Sequence, residues 1–226
     1  IMMPFDFTAD ISIEDAGSLA KNLGIEHSEI SIKEMYESFS LALKESFEGM
    51  GIDKTEENLQ SRCRGVTLMA LSNKLGFLVL TTGNKSEAAV GYSTLYGDTA
   101  GGFSVLKDVS KTLVYELANY RNSLSVVIPK RIIERPPSAE LAPDQKDTDS
   151  LPDYDRLDPI IEMYVEDDKS IQEIINEGFD EKEVRRIVSL IDFNEYKRRQ
   201  APLGIKISDR NFGKDRRYPI TNSWKP

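Results

Sequence analysis

The segment that most constrains this chain is Phe77-Leu78-Val79-Leu80-Thr81, an almost unbroken apolar run set between Gly76 and Gly83. A strand with one face in water alternates apolar and polar residues. A continuous run reads instead as a parallel strand buried on both faces. Such a strand needs helices above and below it, and the flanking sequence supplies them. Residues 12–23 read as a helix: Ser12 with Asp15 gives a capping-box signal, Ile13, Ala16, Leu19 and Ala20 recur at helical spacing, and Gly24 closes it. Ile25 to Ile32 alternates like a short strand, residues 33–49 are helical up to Gly51, and Asp53 with Glu56 opens a long helix to about Asn73. A further helix follows near residues 110–121. Helices alternating with apolar strands predict an α/β fold, a parallel sheet with flanking helices.

The remainder divides at residue 134. Residues 134–153 hold Pro136, Pro137, Pro143 and Pro152 among acidic residues and read as an irregular loop. Helices are expected at 154–165, 169–177 and 180–199, with Gly178 between the last two, and 201–226 shows no periodicity. The whole reads as one domain with a helical C-terminal part. Ile1-Met2-Met3-Pro4 reads as the end of a buried strand stopped by proline, so further residues are expected upstream.

Composition narrows the function classes. With 39% hydrophobic and 30% charged residues the chain is globular, and no run approaches the ~20 apolar residues of a membrane span. A net charge of −9 argues against nucleic acid, which calls for a basic surface. One cysteine, Cys63, and one histidine, His27, exclude an internal disulfide, a conventional zinc site and cysteine–histidine catalysis. The cysteine count points to a cytoplasmic protein. Basic residues gather near the end as Lys197-Arg198-Arg199 and Lys214-Asp215-Arg216-Arg217, either a solvated tail or a site for a compact anion.

In parallel sheets, ligands collect beyond the carboxyl ends of the strands. Two segments are expected there, Met3-Pro4 and Thr82-Gly83-Asn84-Lys85-Ser86-Glu87. If a helix begins after Asn84, its first turn suits a phosphate and carries Glu87. Asp98 follows on a Tyr-Gly-Asp turn; two carboxylates near such a turn suit Mg²⁺ bound with a nucleotide, and an ordinary turn with a capping glutamate fits the spacing equally. Lys111 stands near a helix start, where the dipole disfavours a cation. Asn58 and Arg62 share one face of the long helix, beside an apolar face holding Cys63.

The runs LVLTTGNKSEAAVGYSTLYGDTAGGFSVLKDVSKT, PPSAELAPDQKDTDSLPDYDRLD (136–158) and NEYKRRQAPLGIKISDRNFGKDRRYPIT (194–221) resemble, in order, the synthetase domain of NAD synthetases. KRRQAP and KDRRYPIT resemble the glutamine-dependent branch most. The resemblance implies an adenine-nucleotide α-hydrolase-like fold, a homodimer or higher oligomer, and an upstream glutaminase domain that supplies ammonia. It implies ATP contacts for Thr82, Lys111, Ser138 and Met3, and deamido-NAD contacts for Asn58, Glu87 and Lys197, with Arg62 inside a matched motif. It also implies Mg²⁺ at Glu87, and catalytic roles for Lys111 and Asp98.

The implied reaction adenylates the nicotinate carboxylate of deamido-NAD with ATP, and ammonia then displaces AMP. The proline-rich loop is a candidate cover over the adenylate, which water would destroy. Two departures stand out. The family's Ser-Gly-Gly-x-Asp-Ser phosphate loop does not occur in these 226 residues, so this stretch alone is not expected to turn over. Leu95 stands where ammonia-dependent relatives can place lysine. Two alternatives remain at this point: another ATP pyrophosphatase adenylating a different acid, and a non-catalytic nucleotide-binding or dimerisation module.

Overall fold

The computed structural model describes residues 1–221; the end of the predicted tail, 222–226, lies outside the described residues. Helix α1 spans Asp10–Leu23, α2 Lys33–Leu43 and α3 Lys54–Leu75. The long helix α3 is started by the predicted capping box, Asp53 with Glu56, and stopped by Gly76 at φ +72°. Helix α1 differs from expectation. It begins two residues before Ser12 and has no cap from its own sequence. Ser12 and Ala9 instead bond to Glu140, 128 and 131 residues away, and Asp15 pairs with Arg131. Long-range partners have taken the side chains that the local cap would use. Helix α2 also stops early, at Leu43, and the chain continues as turns through Gly49, where φ is +79°.

Strand β1 (Leu80–Thr81) precedes helix α4 (Lys85–Val90), and strand β2 (Phe103–Ser104) precedes helix α5 (Lys111–Leu124). Short helix α6 (Lys130–Glu134) follows, then the irregular loop with one 3₁₀ turn at Asp147–Asp149. Helices α7 (Tyr154–Val165), α8 (Ile171–Asn176), α9 (Glu181–Phe193) and α10 (Glu195–Arg198) lead to strand β3 (Leu203–Gly204). The sheet is parallel in the order β1-β2-β3, with Thr81 opposite Ser104 and Ser104 opposite Gly204.

The sheet corrects three expectations. Only Leu80–Thr81 of the apolar run forms a strand, and Leu78 and Leu80 are 66% and 54% exposed, so the run is not buried on both faces. The alternating segment 25–32 makes a single parallel bridge, Met2 to Glu29, rather than a strand. A third strand lies in the segment that showed no periodicity, since two residues are too few to display one.

The apolar core sits in the helical part. Val184, Ile187, Val188 and Ile191 are 0% exposed along one face of α9, at the i, i+3, i+4, i+7 spacing. They meet Leu157, Ile160 and Ile161 of α7, Ile174 of α8, and Ala89 and Val90 of α4. Each such buried side chain contributes about 1.5–3 kcal/mol. The helix expected over 180–199 is broken at Asn194. Its amide donates to Val90 O and Leu190 O, and it packs so close to Gly91 that a Cβ there would lie 2.1 Å from it.

Candidate active site

A cleft of about 770 Å³ opens at the carboxyl end of β1. One wall is helix α3, which presents Lys54, Glu57, Asn58, Ser61 and Arg64, a polar stripe at helical spacing. The floor comes from Thr82, Gly83 and the first turn of α4. Opposite stand the turn at 91–98, Lys111, the loop residues 137–150 and Lys197, and Met2-Met3 closes one end.

Asn84 caps α4: its side chain accepts from the Glu87 N–H at 2.9 Å, and Glu87 Oε2 accepts from the Asn84 N–H at 3.3 Å. Glu87 is therefore a capping glutamate and a cleft residue together. Its other oxygen pairs with Lys111 Nζ at 3.1 Å, both side chains about one-fifth exposed at 20% and 18%. That ammonium also stands 5.4 Å over the Tyr154 ring. The Tyr154 hydroxyl donates to buried Asp147 at 2.8 Å; burial, with the charges of Glu87 and Asp147, pushes the phenol far above its ordinary value.

Asp98 is held by Ser61. The Ser61 hydroxyl donates to its carboxylate at 3.2 Å and accepts from its N–H at 3.0 Å, and the Thr94 N–H donates to the same carboxylate at 2.7 Å. This turn presses against α3 at a glycine: a Cβ on Gly65 would lie 2.7 Å from Tyr96 O. Although Asp98 remains in contact with solvent, the surrounding protein desolvates its carboxyl and raises it above the usual range, against those hydrogen bonds. Lys197 donates to Gly91 O and Ser93 O, both at 2.7 Å; burial lowers its ammonium, against the attraction of Asp98.

Asn58 also lines the cleft, where its carbonyl accepts from Thr94 Oγ1 at 2.7 Å. Thr82 and Met3 line it too. Ser138 does so from the loop, but its hydroxyl is engaged locally, donating to Gln145 O and accepting from the Glu140 N–H. Arg62 is the exception. It is exposed, lies outside the cleft and donates to Leu95 O at 3.2 Å.

Sequence reasoning missed Lys54, Glu57, Ser61 and Arg64 on this helix; the Nε of Arg64 donates to Met3 O at 3.0 Å. The polar spacing 54, 57, 58, 61, 64 carried that signal. Asp147 was missed as well, being one acidic residue among several in an irregular loop.

The basic tail is largely neutralised. Arg210 and Arg216 pair with Asp168, Arg198 and Arg199 with Glu195, and Lys206 with Asp215. Among the described residues of the tail, Lys197 is the cation that lines the cleft. Cys63 is 2% exposed, and burial raises its thiol, in keeping with a small core residue.

Among the described residues no helix is long and apolar enough to cross a membrane. No group of three or more His, Cys, Asp or Glu that could hold a metal occurs among them either.

The family model described as NAD synthase matches residues 1–201. A glutamine-dependent NAD(+) synthetase of Acinetobacter baylyi is 56% identical over 228 residues, covering 100% of this chain and 42% of that protein. The chain thus spans about two-fifths of the length of such curated relatives. The solved glutamine-dependent NAD+ synthetase of Acinetobacter baumannii, in complex with ADP, is 50% identical with a TM-score of 0.59, over 99% of this chain and 40% of that one. NMN synthetase of Francisella tularensis is 30% identical with a TM-score of 0.72, over 87% of this chain and 74% of that one.

Proposed function

The chain belongs to the NAD synthase family, and from that premise we propose that it forms the amide-making part of a glutamine-dependent NAD synthetase. The observation that supports this most is the single cleft shared by Thr82, Glu87, Asp98, Lys111, Ser138, Asn58 and Lys197. It offers cations beside carboxylates, as a nucleoside triphosphate and a dinucleotide require.

In the proposed reaction ATP lies over Thr82, Met3 and Ser138, and deamido-NAD over Asn58, Glu87 and Lys197. The nicotinate carboxylate attacks the α-phosphorus of ATP, the bond to pyrophosphate breaks, and an acyl-adenylate forms. Ammonia then attacks the acyl carbon, the carbon–oxygen bond to AMP breaks, and a proton is lost to leave the amide of NAD. Lys111 meets the charge that moves onto the pyrophosphate. Mg²⁺ held with Glu87 would supply further neutralisation of the phosphates. Asp98 stands by as acceptor for protons of the incoming ammonia. Arg62 lies outside the cleft of one chain, and a second copy in a homodimer would bring a surface to it. A glutaminase domain elsewhere in the protein would supply the ammonia, in the cytoplasm.

The full-length protein, given ATP, Mg²⁺, deamido-NAD and an ammonium salt, is expected to yield NAD and AMP in equal amounts. Release of AMP only with a different acid would replace this reading with that of another adenylating enzyme. Nicotinate mononucleotide is the competitor to include, because the NMN synthetase shares the fold.

A further inference from the structure

Glu87 and Lys111 face each other across the cleft from the first turns of two different helices, so something must fix the relation between those turns. The residues next to them in sequence, Ser86 and Thr112, turn away from the cleft and converge on one carboxylate of α7. Asp158 is 7% exposed, and Ser86 is 0% exposed. The Ser86 hydroxyl donates to Asp158 Oδ1 and accepts from the Lys111 N–H at 2.9 Å. Asp158 Oδ2 accepts from the Thr112 N–H at 2.9 Å and from its hydroxyl at 2.8 Å. One turn earlier on α7, at i−4, Tyr154 places its ring under the Lys111 ammonium. The same helix face therefore holds Lys111 at both ends, its backbone through Asp158 and Ser86 and its charged tip through Tyr154.

We propose that Asp158 is a positioning residue for the reaction read above, setting the Glu87–Lys111 pair through Ser86 and Thr112. It reaches neither substrate nor reacting atoms. A carboxylate suits this place because all three groups it meets are donors, and one of them, the Thr112 N–H, belongs to the exposed first turn of α5. An amide in its place turns a donor towards donors, which displaces at least one of the two helix starts. The ATP end of the cleft is then disturbed, while the Asn58 and Lys197 end keeps its own supports.

The assignment rests on the ATP role of Lys111, so the experiment separates the two. In the full-length protein, Asp158→Asn and Ser86→Ala are compared with wild type for calorimetric binding of a non-hydrolysable ATP analogue and for KM and kcat. Each variant is expected to weaken analogue binding about tenfold and to lower kcat, with KM for deamido-NAD changed by less than about twofold. The double variant is expected to be no weaker than the poorer single one, since both remove one connected set of bonds. Tyr164→Phe serves as a structural control on the same helix: it loses a bond to Asp192 and is expected to lower thermal stability with no change in analogue binding. Folded Asp158→Asn protein with wild-type analogue binding and kcat would overturn the proposal, as would equal weakening of both substrates. If Asp158→Asn does not fold, Ser86→Ala decides the matter by the same criteria. Failure of wild type to amidate deamido-NAD would refute the functional reading alone, because analogue binding still reports on the helix starts.

Discussion

Asp98 and Lys197 carry opposite charges at one end of the cleft; desolvation by the surrounding protein raises the exposed Asp98 carboxyl, and burial lowers the Lys197 ammonium. The consequence is visible in pH. A raised carboxyl takes up its proton at a higher pH than an ordinary aspartate as the solution is acidified, so any step needing Asp98 ionised fails early. A lowered ammonium loses its proton sooner than an ordinary lysine as the pH climbs. The profile of kcat/KM is therefore expected to fall on the acid side above the usual aspartate range, and Asp98→Asn is expected to flatten that limb while lowering the plateau. A wild-type profile without an acid limb would remove Asp98 from the chemistry. The pair also shows what a sequence conveys at this scale. Residue type and order in the Tyr-Gly-Asp run located Asp98, but its pairing with Ser61 comes from α3, 37 positions earlier, and no spacing rule reaches that far.

Helix α3 is joined to that turn by the absence of a side chain. Gly65→Ala would drive a methyl against the backbone oxygen of Tyr96, at 2.7 Å, and that atom cannot swing aside. The substitution is expected to cost about 1–3 kcal/mol of stability and to raise KM for deamido-NAD more than KM for ATP, measured by thermal melting and initial rates. A different element test concerns α9. Ile187→Ala removes a fully buried side chain from the helical core and is expected to cost about 2–5 kcal/mol, read as faster amide exchange in α7–α9. This helix was legible because four apolar residues repeat on one face. Of the strands, β1 falls inside the apolar run at 77–81 that announced it, whereas β2 and β3 were not legible, because two residues each are too few to display a period. Helix ends were legible where the cap is local, as at Asp53. They were not where the partner is distant, as Glu140 is from α1.

Across the whole molecule, the C-terminal segment is tied to the site by a buried charged cluster. Lys85, next to the α4 cap, pairs with Asp108 at 3.0 Å and Glu166 at 2.6 Å. Asp108 accepts from the N–H groups of Ile207 and Ser208, both at 2.8 Å. Burial raises the Asp108 carboxyl, and the donors from Ser208, Ile207 and Lys85 outweigh that and leave it below its ordinary value. A carboxyl lowered on folding contributes stability at pH values above its unfolded pKa. That contribution disappears as the pH falls through the folded value. The 205–210 segment is thus expected to resist proteolysis down to pH values under the usual aspartate range, and Asp108→Asn is expected to be cleaved there at neutral pH. Equal resistance of both proteins at pH 7 would show that the cluster does not anchor the tail. Family and fold class were readable from long motifs in order, and the expected site residues other than Arg62 line the cleft, whereas this anchorage was not readable, since Lys85, Asp108, Glu166 and the 207–208 pair lie far apart in sequence. The same topology bears on synthesis. Phe103 pairs with Leu203, so one edge of β2 stays open while the ribosome makes all the helices between them. An open strand edge recruits other chains, and closing so long a loop is slow. A nascent chain halted before residue 203 would therefore tend to aggregate, and a pause in translation within α7–α9 would carry a penalty that the finished structure does not reveal.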